Sequence, residues 1–111
     1  MRHAIFFLLA GFLVLAGCAK PLPPERGAYA GEWQSSTMGL LITRDGHVAY
    51  KRLVGTNGSK TVSGPIQSFE GNNFSVGVGP IQTTFVVSVP PHEVGGRWMM
   101  TVDGVELTRQ D

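Results

Sequence analysis

The sequence predicts an all-β domain, a small antiparallel meander of seven or eight strands, closed as a barrel or folded as a β-sandwich. Three observations carry that expectation. From Tyr29 onward, apolar residues recur with a period of two, the spacing of side chains on one face of a strand. Most of them are Val, Ile, Phe, Trp and Met, types that suit a pleated, half-buried surface. Turn residues interrupt the pattern about every eight to twelve positions, the interval of short strands joined by tight turns. No amphipathic helical stretch of useful length competes with this pattern. A chain of 111 residues with 15 glycines and 7 prolines has room for one loop-rich domain and one small core.

The chain opens differently. Arg2 supplies a positive start, and Ala4 to Ala16 form an apolar stretch of thirteen residues broken only by Gly11. As a helix, that stretch rises about 20 Å, short of the roughly 30 Å hydrocarbon core of a bilayer. It ends in Leu15-Ala16-Gly17-Cys18, which resembles the lipobox of bacterial lipoproteins at all four positions. The resemblance implies a cleaved signal helix, a cut between Gly17 and Cys18, and acyl chains such as palmitate on Cys18. Cys18 is the only cysteine, so no disulfide forms within the chain. Lipidation gives it a purpose, because two or three acyl chains anchor stably where one is marginal. Ala19 rather than aspartate follows. By resemblance to enterobacterial sorting, this implies attachment to the outer membrane, facing the periplasm.

The expected plan is a signal peptide over 1–17, a lipidated cysteine with a Pro-rich tether over 18–28, and one β-domain over 29–111. Pro21, Pro23 and Pro24 disfavour helix and sheet ladders. An extended polyproline tether of about 3.1 Å per residue then holds the domain up to roughly 28 Å from the lipid.

Strands are expected near 32–36, 38–44, 47–54, 65–69, 73–78, 83–89, 97–102 and 105–109. Two hairpins have a register set by physics. Asp103-Gly104 is a two-residue loop whose twist matches its flanking strands. It pairs Val102 with Val105, Met100 with Leu107 and Trp98 with Arg109, with the apolar residues inward. Around Asp45-Gly46 a two-residue loop splits the apolar residues between faces. A three-residue loop with Gly46 left-handed at a bulge restores one face, pairing Ile42 with Val48, Leu40 with Tyr50 and Met38 with Arg52.

Gly31-Glu32-Trp33 resembles the Gly-x-Trp that opens the first strand of lipocalins and their calycin relatives. The resemblance implies a lipocalin-like barrel in which an arginine of the last strand packs over that tryptophan. Arg109 stands where that arginine belongs. Trp33, Trp98 and Arg109 are thus the expected structural cluster. The bare residues allow a plainer reading, with Trp33 simply core and Arg109 paired with Trp98 in its own hairpin.

Without Arg2 the chain carries eight Lys/Arg against eight Asp/Glu. That balance, with no basic run, argues against nucleic acid and gives no reason to expect an anionic-lipid surface. No catalytic constellation is legible: there is no Gly-x-Ser-x-Gly elbow and no Ser-x-x-Lys. His47 reads as a solvated turn residue, and His92-Glu93 lacks the companions a zinc site needs. No enzyme activity, metal or cofactor is expected. Two features stand slightly above background. Residues 55–64 read as a long polar loop of the kind that carries binding sites on rigid scaffolds, and Arg52 lies inward beside it. Tyr50, Arg52, Asn57 and Lys60 are the candidate binding residues. The expected function is non-catalytic: a cell-envelope lipoprotein whose β-domain binds a protein partner or small hydrophobic ligand. The alternative is a periplasmic inhibitor of a hydrolase, lysozyme or a protease.

Overall fold

The structure is a computed structural model that describes residues 20–110. The expected signal and Cys18 lie outside the described residues. A 3-10 helix, Pro24–Tyr29, precedes nine strands: β1 (Gly31–Gln34), β2 (Met38–Ile42), β3 (His47–Val54), β4 (Gly58–Glu70), β5 (Asn73–Val78), β6 (Ile81–Phe85), β7 (Val87–Val94), β8 (Arg97–Val102) and β9 (Val105–Gln110). The fold is all-β. The strands form one antiparallel sheet, curled into an open half-barrel, in the order β6-β5-β4-β3-β2-β1-β9-β8-β7.

Both hairpins adopt the register their apolar patterns demand. Ile42 faces Val48, Leu40 faces Tyr50 and Met38 faces Arg52. Gly46 takes a left-handed φ of 90°, and the Thr43 N–H donates to the His47 carbonyl at 2.9 Å. In the last hairpin Val102 faces Val105 and Met100 faces Leu107. Asp103 and Gly104 both have positive φ, 49° and 80°, as a two-residue loop of this twist requires. The inward residues of these hairpins form much of the core: Leu40, Ile42, Val48, Met100, Val102 and Leu107 are almost fully buried, with Trp33, Phe74 and Phe85.

The sheet curls because one extended segment serves both of its ends. The strand expected at 83–89 bends at Val86 into β6, which pairs with β5, and β7, which pairs with β8. A strand that changes partners at a bend is how a sheet turns a corner. Two side chains hold the bend. The Val86 N–H donates to Asp103 Oδ1 at 2.8 Å, and the Asp103 N–H donates to the Val86 carbonyl at 2.7 Å. One residue on, the Val87 N–H donates to Asn73 Oδ1 at 2.8 Å. Nine strands thus replace the seven or eight expected, because β-rich sequence runs unbroken through the bend.

Three further expectations are corrected. The polar loop 55–64 is only a turn over 55–57, because β3 is long enough to pair with residues 58–65. The loop expected at 90–96 is strand up to Val94. Pro90 and Pro91 sit there because β7 ends the sheet and its register shifts beside them, positions where a missing N–H costs little. The expected tether is docked over 20–28 rather than extended. Pro24 begins the 3-10 helix, the Leu22 N–H donates to the Arg44 carbonyl at 2.9 Å, and Leu22 packs against the core. Gly46 admits that segment, since a Cβ there would collide with the Lys20 carbonyl oxygen.

Candidate functional site

Antiparallel alternation sorts the turns. Those at 43–46, 71–72 and 95–96 share the end where the docked N-terminal segment sits, and those at 35–37, 55–57 and 79–80 lie at the other. Contacts of the segment agree with this, since Arg26 Nη2 donates to the Gly71 carbonyl at 2.6 Å. The Arg26 guanidinium also stands 4.9 Å from the centre of the Phe69 ring and 5.8 Å from that of Tyr29.

The far end carries the candidate binding residues. Val48 and Tyr50 are buried while Ala49 and Lys51 are exposed, so alternation turns Arg52 to the concave face. Lys60 is directly opposite Arg52 on β4 and turns the same way. Two like charges opposed across a ladder repel, a feature that costs stability. Asn57 is an exposed turn residue. Tyr50 is corrected: it is a core residue, its ring edge-on to Phe85 with centroids 4.9 Å apart. The structure therefore brings Arg52 and Lys60 together, leaves Asn57 at the tip of their hairpin, and withdraws Tyr50.

Sequence reasoning missed two elements of this end. One is apolar: Leu53 and Val54 near the β3–β4 turn are about half exposed, while Val78 and Ile81 beside the β5–β6 turn are 69% and 81% exposed. The other is an open edge. Residues 58–65 of β4 pair with β3 on one side, but β5 joins the opposite side only from Ile66 onward. Among the described residues, nothing pairs with that outer edge over 58–63. A usable signal was present for the first point. Gly55-Thr56-Asn57 is turn chemistry, and a three-residue turn there, with Val54 opposite Gly58, registers Arg52 against Lys60.

Trp33, Trp98 and Arg109 do meet. Trp33 and Arg109 are partners across β1 and β9, and the guanidinium stands 5.2 Å from the centre of the Trp98 ring. The cation thus covers Trp98, while Trp33 is sealed in the core with its Nε1 donating to the Tyr29 carbonyl at 2.9 Å. Gly31 is open for the arginine stem, since a Cβ there would lie 2.7 Å from Arg109 Cδ. This is a structural cluster that joins the two halves of the sheet. His47 is exposed at its turn, and His92 Nδ1 lies 3.0 Å from the Pro90 carbonyl. Among the described residues, no three His, Cys, Asp or Glu side chains converge as metal ligands would. Comparison with protein-family models, curated proteins and solved structures finds no match for this chain.

Proposed function

We propose that this protein is a non-catalytic, lipid-anchored component of the bacterial cell envelope. Its β-domain faces the periplasm and binds a protein partner at the end that carries Arg52 and Lys60. The observation that supports a protein over a sequestered small ligand is the filled interior. Tyr50, Phe85, Phe74, Tyr29 and Phe69 form a continuous chain of ring contacts, with successive centroids 4.9, 5.1, 6.2 and 5.3 Å apart. A barrel this small holds either side chains or one small ligand. Here the space is taken by side chains.

The anchor supports the choice of end. Acyl chains on Cys18 would tie the docked N-terminal segment to the outer membrane, leaving the opposite tips to meet other proteins. The cations at those tips count against inhibition of a strongly basic lysozyme, because like charges slow encounter. Two measurements test the reading. Intact mass of the native protein should show an acylated Cys18 as the first residue, and an unmodified thiol there removes the anchor. Photo-crosslinkers at Lys60 and at His92, in intact envelopes, should capture a protein at Lys60. Capture at His92 alone would move the binding surface elsewhere.

A further inference from the structure

The open edge of β4 and the cation pair beside it belong to one surface. We propose that residues 58–63 are a docking site for an extended acidic segment of the protein partner, taken up as an added strand beside β4. This inference rests on the reading that the far end binds a protein, and it names the chemistry of what binds.

Four observations converge on that occupant. First, an unpaired strand edge presents a row of backbone donors and acceptors that only another extended chain satisfies fully. Of the two terminal strands, β6 carries no charged residue and β7 is blunted by Pro90, Pro91 and its register shifts, whereas residues 58–63 contain no proline and carry Lys60. Second, the charge is one-sided. Residues 46–69 include Lys51, Arg52 and Lys60 and no acidic residue, and neither Arg52 nor Lys60 has an acidic partner among the described residues. A carboxylate entering beside β4 relieves the repulsion between Arg52 and Lys60.

Third, Val54, Val78 and Ile81 fall on the same face, while Leu53 alternates to the other. Val76 and Phe74 are buried on the concave side, and alternation turns Val78 and its partner Ile81 that way as well. An incoming strand with alternating acidic and apolar residues has period-two side chains for both surfaces. Fourth, the charges disfavour a second copy of this chain. Pairing β4 with its own counterpart brings two Arg52–Lys60 pairs within about 10 Å, two strand spacings, where screening is still incomplete. Cations on an edge discourage self-pairing while leaving it open to an acidic strand.

The test uses the full-length protein in detergent micelles and a fluorescent eight-residue peptide of alternating aspartate and valine. Fluorescence anisotropy should report binding, and the lysine–valine counterpart should not bind. Methylating alternate peptide nitrogens should abolish binding in one of the two registers and spare the other, as strand addition requires. The double variant R52E/K60E should keep its circular dichroism spectrum and weaken binding about tenfold or more. Failure of the acidic peptide to bind overturns the inference, as does equal binding of the basic one. Indifference to methylation in both registers overturns strand addition, and a β4-to-β4 crosslink between two copies assigns the edge to self-association. Capture of a protein at Lys60 in envelopes without peptide binding overturns this inference alone. Capture only at His92 overturns the reading beneath it.

Discussion

Tyr29 ties the N-terminal segment to the half-barrel through three kinds of contact. Its carbonyl accepts the Trp33 indole N–H, its hydroxyl donates to the Asn72 carbonyl at 2.9 Å, and its ring packs edge-on against Phe69 and Phe74. Burial raises the hydroxyl above its ordinary value of 10.0, against the opposing pull of the Arg26 cation. The folded protein therefore holds the proton above the pH at which the unfolded chain releases it. That part of the stability is present below pH 10 and falls as pH rises through the raised value. Alkaline unfolding should thus begin above about pH 10 and become shallower in Tyr29→Phe. At neutral pH the same variant should lose about 1 kcal/mol with its hydrogen bond. Chemical denaturation across pH 7–11 checks both, and an unchanged alkaline slope in the variant would assign the titration to another group. Tyr29 is legible in the sequence only as the place where the period-two pattern starts, because Phe69, Asn72 and Phe74 lie forty or more residues away.

The bend at Val86 is the element on which the sheet's curl depends. Asp103 holds it from the turn of a different hairpin, offering a backbone N–H and a carboxylate oxygen to the two backbone groups of one residue. Asp103→Ala should leave the Val86 N–H without its side-chain acceptor and cost about 1 kcal/mol, since water has partial access. That corresponds to roughly 4–8 °C in Tm for a domain of this size. Asp103→Asn keeps an acceptor and tolerates the left-handed backbone at this position, so it should stay near wild type. Thermal unfolding of the pair separates the acceptor and its left-handed backbone from the charge. Equal losses in both variants would point to charge instead. The hairpin itself was readable from Asp103-Gly104 between alternating apolar residues. Its grip on Val86 was not, because nothing local to either residue announces the other.

Across the whole molecule, protection is uneven by construction. The central strands bury their inward residues and pair on both sides, while residues 58–63 pair only with β3 and are largely exposed. Amide hydrogen exchange should be faster over 58–61 than at Leu40, Val76 or Leu107 by about two orders of magnitude or more, as expected between a frayed tip and a cooperative core. Uniformly slow exchange at the tip would mean that the edge is already covered, and an added partner would have no place there.

What the sequence by itself determined is the β class, the two hairpin registers and the inward residues of each. These depend on alternation and turn twist over a few residues, and a slip by one would turn every apolar side chain to water. Residues 58–63 misled for the same local reason, since Val62 is the one residue among them that packs against the core, and one residue gives no alternation to read. Only the tertiary structure decided that β1 joins β9, that one strand bends at Val86 to serve both ends of the sheet, and that the Pro-rich segment packs against the core. Those contacts join residues far apart in the chain, and they depend on how much the whole sheet twists and curls. The turn after Val78 ends β5 short of the full length of β4, and so sets where the surface stays open.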